Sequence, residues 1–157
     1  MAAYGSQDVA RAGLCFGVGE LEVETKVAAS GVTFEFGEAV FVDAGVEDVG
    51  YAPDSTDTSL KFLGIAMISQ RSFVDSEGNY PPYSDMDVLT EGEIYVQVAS
   101  GLSVIANAPA YVLDVTTDAQ YQKFTTDSTA ADVYDIGCYF RSNVVDGLAR
   151  LEVRGLK

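Results

Sequence analysis

Apolar residues recur along this chain at strand spacing and almost nowhere at helical spacing. Leu21, Val23, Thr25 and Val27 alternate with Glu22, Glu24 and Lys26, the pattern of a strand with one face in water. Val32, Phe34 and Phe36 alternate with Thr33, Glu35 and Gly37, and Ser30-Gly31 between the two runs predicts a hairpin. Residues 39–42 form a short apolar strand. Residues 60–69 are nearly all apolar, as in a strand covered on both faces, and Gly64 inside them marks a bulge or a close backbone approach. Residues 86–90 and 93–99 flank Glu91-Gly92, which predicts a second hairpin with Ile94, Val96 and Val98 on one face. Short strands follow at 102–105 and 111–115. Ile136, Cys138 and Phe140 then alternate with polar neighbours, and a last strand turns Ala149, Leu151 and Val153 inward and Arg150, Glu152 and Arg154 outward.

Between these runs, residues 43–59, 70–85 and 116–132 are rich in Asp, Gly, Ser, Thr and Pro and read as surface loops. Nine or ten short strands at turn-punctuated spacing predict an all-β fold, a β-sandwich or barrel (jelly-roll-like) of short antiparallel strands. Residues 1–19 lack a clean pattern, since Gly5, Gly13, Gly17 and Gly19 interrupt the apolar Tyr4, Val9, Leu14 and Phe16. That segment is either an extended N-terminal arm buried against a neighbouring subunit or a lead strand covering its own domain. The arm is the favoured reading, giving an arm over 1–19 and a single β domain over 20–157. No internal repeat or interdomain linker is visible.

Length and composition agree with one globular domain: 157 residues, 48% of them hydrophobic. The longest uncharged apolar stretch, residues 62–69, is too short to span a bilayer, and the first residues lack the pattern of a secretory signal. Charge changes the picture more. Nine Lys and Arg face 24 Asp and Glu, a net charge of −15. Such a field repels nucleic acid and anionic membrane surfaces alike. It is uneven: residues 43–93 hold eleven acids against Lys61 and Arg71, whereas residues 141–157 hold four bases against Asp146 and Glu152. The balance of −9 in the first stretch and +2 in the second is what an outward acidic face and a docking face would show, and equally what solvated termini would show.

Candidate chemistry is sparse. The chain has no histidine, the commonest general base and zinc ligand, and no phosphate-binding glycine loop. Cys15 and Cys138 sit in apolar contexts outside any metal or redox spacing and read as buried free thiols, with a bridge between them left open. Asp85 and Asp87 share one strand face, and Asp54, Asp57, Asp75, Glu77 and Asn79 offer oxygen ligands, but EF-hand spacing is absent. These carboxylates read as solvated loops, so no catalytic residue, metal site or cofactor is expected. Tyr51, Phe73, Tyr80 and Tyr83 lie in the loops and read either as pins holding those loops or as a sugar-stacking platform, the latter weakened by the absence of Trp.

Three runs carry a more specific signal: Phe36-Gly-Glu-Ala-Val-Phe-Val-Asp43, Leu60-Lys-Phe-Leu-Gly-Ile-Ala66 and Val88-Leu-Thr-Glu-Gly-Glu-Ile-Tyr-Val96. With Val9-Ala-Arg-Ala-Gly-Leu14 before them and Gly147-Leu-Ala149 after, their order resembles the capsid cement (decoration) proteins of tailed bacteriophages. The likeness covers most of the chain. It departs at Ser84-Asp-Met-Asp87, where the family often carries Gly-Asp. The resemblance implies a non-enzymatic structural protein that binds across junctions of major capsid protein subunits and stabilises the expanded head. It implies a dimer or trimer on the outer surface of the virion capsid, made in the host bacterial cytoplasm. Capsid contacts are expected from Tyr4, Val9, Arg11, Leu14 and Phe16, with Arg150, Arg154 and Lys157 as electrostatic anchors. The competing expectation is a β-sandwich ligand- or carbohydrate-binding module on a phage or cell surface, with its site on loops 43–59 and 70–85.

Overall fold

A computed structural model describes residues 10–16, 21–54, 56–68, 74–103, 106–114, 121–129 and 132–154. The described residues contain no helix and ten strands: β1 (Cys15–Phe16), β2 (Glu22–Ala28), β3 (Ala39–Asp43), β4 (Val46–Tyr51), β5 (Leu60–Ala66), β6 (Asp85–Gln97), β7 (Pro109–Leu113), β8 (Phe124–Thr125), β9 (Val133–Phe140) and β10 (Leu148–Val153).

The fold is all-β, and of the two expected architectures the barrel is the one that forms. β2, β4, β3, β5 and the first half of β6 lie side by side, and β6 pairs back onto β2 (Val23↔Leu89, Lys26↔Met86), closing a small barrel. The second half of β6 starts another layer. It pairs with β10 (Leu151↔Ile94, Ala149↔Val96), which leads to β9, β7 and β8, while β1 takes the other edge (Cys15↔Ile94). A parallel bridge from Val98 to Phe124 brings β8 round to the end of β6. One strand therefore belongs to both halves.

That strand is where the sequence reading and the fold part most clearly. Glu91-Gly92 is not a hairpin but a bulge inside a continuous strand of 13 residues. Register jumps from Glu22↔Glu91 to Val23↔Leu89, and Gly92 has φ 137°, a conformation that L side chains rarely adopt. The extra residue reverses the alternation. Met86 and Val88 face the barrel interior with Val40 and Leu63, whereas Leu89, Ile94 and Val96 face a second core with Phe41, Phe62, Phe140 and Leu151. Two hydrophobic cores thus share one strand.

The hairpin expected after Ser30-Gly31 is also absent. Residues 32–36 form no strand, only a bridge between Phe34 and Tyr80. Phe34 and Tyr80 are fully buried, Phe36 stacks edge-on against Tyr80 at 5.3 Å, and the Tyr80 hydroxyl donates to the Met67 carbonyl at 2.6 Å. Aromatic alternation here served as a plug in the barrel core. The burial of Tyr80 also removes it from any sugar platform, and Phe73 lies outside the described residues.

The expected loop 43–59 contains β4, whose apolar Val46, Val49 and Tyr51 are too diluted by Glu47, Asp48 and Gly50 to announce a strand. The acids of this loop and of the loop 70–85 cap their own turns. Asp54 Oδ1 accepts from the Thr56 amide at 3.0 Å, Asp57 Oδ1 from the Ser59 amide at 2.9 Å, and Asp75 Oδ1 from the Glu77 and Asn79 amides at 2.9 and 3.0 Å. Of the strand expected at 102–105, residues 102 and 103 lie in no strand and the other two are outside the described residues. β5, β9 and β10 stand as expected, with Gly64 at a register shift between β3 and β5.

Both cysteines are free, Cys15 half-buried and Cys138 buried, and burial pushes each thiol up to about 11. The bridge left open by the sequence is not made. Because the thiolate is the nucleophile, native protein at pH 8 is expected to resist iodoacetamide and to take up two labels in urea. Rapid native labelling, followed by intact mass, would contradict this.

Glu38 immediately precedes β3, its Oε2 accepting from the Glu35 amide at 3.1 Å, and burial raises its pKa to about 8. The folded state therefore keeps a proton that the unfolded chain releases near its ordinary 4.5. Stability is expected to fall as pH rises from about 4.5 to about 8 and then to level off. Glu38→Gln should flatten that slope, so its advantage in urea midpoint grows from pH 5 to pH 9. Parallel profiles for the two proteins would refute the assignment.

Candidate docking face

Alternation along β10 and β6 sends one set of side chains into the second core and the other set out onto a common face. Cross-strand register places Phe16 beside Glu93, Glu93 beside Glu152, Arg150 beside Tyr95 and Glu152 beside Tyr139. These residues interlock. The Arg150 guanidinium lies over the Phe16 ring at 4.2 Å and pairs with Glu93 at 3.5 Å, while Phe16 and Tyr95 meet edge to face at 6.4 Å. Glu152 is held by both Arg141 and Arg154, and Arg154 in turn lies over the Tyr139 ring at 5.0 Å.

The face is rigid and amphipathic. Each arginine is fixed by a carboxylate, so little side-chain entropy remains to be lost on binding a partner. Arg141, Arg150 and Arg154 stand against Glu93, Glu152 and Asp146, a local balance of zero on a chain whose total is −15. Phe16 is 36% and Tyr139 37% exposed, and beside them Val145, 68% exposed, borders a depression of about 380 Å³ with Ala10, Tyr95, Leu148 and Arg150. Phe, Tyr and Arg are the residue types enriched in protein–protein contacts.

Of the residues singled out in the sequence, Phe16, Arg150 and Arg154 come together here, although seventy residues or more separate Phe16 from its partners on β6 and β10. Arg150 and Arg154 are not free anchors, since each already has a glutamate and an aromatic ring. Leu14 is half-buried behind the face and Arg11 is exposed. Tyr4, Val9 and Lys157 lie outside the described residues. The described stretch 10–16 is stitched to its own domain: the Gly13 amide donates to Tyr95 O at 2.8 Å, Tyr95 N to Leu14 O at 3.0 Å, and Ile68 N to Gly13 O at 2.9 Å. Cys15 and Phe16 pair with β6 of the same chain. Tyr139, Arg141, Glu93 and Glu152 were missed. Only their outward phase in otherwise core-forming strands marked them.

Comparisons with known proteins fit this picture. No curated protein matches the chain. A chain in a solved structure described as "The capsid of Myoviridae Phage XM1" shares its fold with a TM-score of 0.74, at 20% identity, over 94% of this chain and 93% of that one. The family described as "Structural cement protein (E217 gp24/Pam3 gp6)" matches residues 4–154, a span that includes both cores and the whole aromatic–arginine face. The chain therefore belongs to the phage structural cement protein family, and it is a virion structural protein that associates with the capsid and stabilises it.

Proposed function

We propose that the protein clamps the expanded phage head from outside, lying across junctions between major capsid protein subunits and docking through the face built by Phe16, Tyr95, Tyr139, Arg150 and Arg154. The single observation that carries this reading is that face: aromatic rings and fixed arginines on a charge-balanced surface of a strongly acidic protein. Apolar burial supplies the affinity, and the ring-stacked arginines add contact area whose charge is already matched by Glu93 and Glu152. The remaining negative charge favours the side of the shell away from packaged DNA. Assembly as a dimer or trimer on a local symmetry axis would present identical faces to several capsid subunits and convert modest contacts into lasting attachment. The N-terminal residues, with Tyr4 and Val9, would extend the contact as an arm.

The test is co-sedimentation of purified protein with expanded shells lacking it. Truncation has to stop before residue 10, because the Gly13 amide and β1 belong to the domain. A protein starting at residue 10 should fold and decorate less tightly, and full decoration by it would remove the arm from the proposal. Decoration unaffected by changes to the face would remove the face.

A further inference from the structure

β2 and β4 run parallel, yet their pairing covers only Val27↔Val49 and Ala28↔Gly50. Continued in register towards the N-termini, the ladder would set Thr25 opposite Glu47 and Glu24 opposite Val46. It does not continue. The two strands splay apart, and the barrel wall opens into a gap of about 700 Å³ between Glu22–Lys26 of β2 and the Asp43–Glu47 stretch around the β3–β4 turn. On its β4 side, residues 22–26 of β2 have no strand partner among the described residues. The gap has an apolar floor, Val42 and Leu63, both buried, and its β2 rim carries Val23, 44% exposed.

We propose that this gap is a strand-acceptor site, in which an extended segment of a partner protein, alternating apolar residues with lysine or arginine, enters between β2 and β4 and completes the barrel wall. A polypeptide is the occupant whose backbone can pair with open strand edges. Its alternation follows from the pleat: one face would meet Val42 and Leu63, the other the solvent side beside Val23. Its charge follows from the walls. Glu22, Glu24, Asp43 and Glu47 face Lys26 and Lys61, a balance of −2, and Lys26 is already taken by Glu24 at 3.9 Å. Glu22 and Glu47 have no ion-pair partner among the described residues. A second copy is a poor donor, because the chain holds only 9 basic residues against 24 acidic ones. That the donor is a capsid chain rests on the function proposed above; the acceptor geometry does not.

The experiment uses the full chain and a synthetic probe, an acetylated peptide of three Val-Lys repeats, with three Val-Glu repeats as its counterpart. The expected result is saturable binding of the Val-Lys peptide, with slowed amide exchange at residues 22–25 and 46–48. Binding should be about tenfold or more weaker for the Val-Glu peptide and for the Glu22→Lys/Glu47→Lys variant, whose exposed positions leave folding intact. No protection at those amides, or equal binding of both peptides, would overturn the proposal. Protection at the same amides without peptide, rising with protein concentration, would overturn it in favour of a second copy. The double variant is then tested on shells. Undiminished decoration would overturn the capsid chain as donor while leaving the docking face standing, since face variants are scored separately.

Discussion

Gly64→Val is expected to leave no folded protein. A Cβ at this position would press against the Leu89 carbonyl oxygen, closer than real Cβ atoms approach, and would lie 2.9 Å from the Leu89 carbon and 3.0 Å from Val88 Cγ1. These are backbone atoms and a core side chain of β6, so relief requires β5 to move away from the strand on which both cores depend. Even Gly64→Ala should cost about 3 kcal/mol, at the upper end of overpacking effects. Urea unfolding of the alanine variant measures the loss. Gly45→Ala is the control: its Cβ would meet only Asp43 Oδ1, at 3.6 Å, and its stability should stay within about 0.5 kcal/mol of the parent. A Gly64→Ala midpoint equal to that of Gly45→Ala would show that β5 and β6 do not pack as closely as described.

The second large effect is on function. Phe16→Ala/Tyr139→Ala should fold normally, because both rings are more than a third exposed and neither belongs to a core. It should decorate shells at least a hundredfold less tightly. Each aromatic anchor truncated at a contact centre removes about 1.4 kcal/mol or more, a factor of ten, and linked contacts around a symmetric assembly multiply such factors. Val74→Ala, equally exposed at 41% but away from this face, should decorate as the parent does. Sedimentation with shells over a protein titration reads all three. Parent-like decoration by the double variant would show that the capsid is gripped elsewhere.

Legibility in the sequence followed how far each residue's role was local. β5, β9 and β10 were readable because Leu60–Ala66 is covered on both faces and because Ile136, Cys138, Phe140, Ala149, Leu151 and Val153 keep strict alternation. Gly64 was readable because a glycine amid bulky apolar residues has few other reasons to be there. β6 was misread at Glu91-Gly92, since a bulge and a two-residue turn use the same residues and only the partners on either side decide between them. β2 was given to the next segment along the chain, whereas its partner is β6, some sixty residues away. The docking face was half visible: Phe16, Arg150 and Arg154 could be named, but the pairing of Arg150 with Phe16 and of Arg154 with Tyr139 is a product of register across β1, β6, β10 and β9. Family likeness supplied the role that no residue chemistry announced.

The shared strand also sets an order of events during synthesis. The strands of the small barrel are all made once Gln97 has left the ribosome, yet Phe41, Phe62, Ile65 and Leu89 on the outer side of its wall belong to a core that is completed only when β7, β9 and finally β10 (Leu148–Val153) have followed. At ~5–20 residues per second the nascent chain carries that sticky surface for a few seconds. Products stopped before β10 would lack Ala149, Leu151 and Val153 from that core and be removed by aggregation or proteolysis. β10 thus closes over apolar surface that the barrel strands present first, a built-in check against chains that lack it.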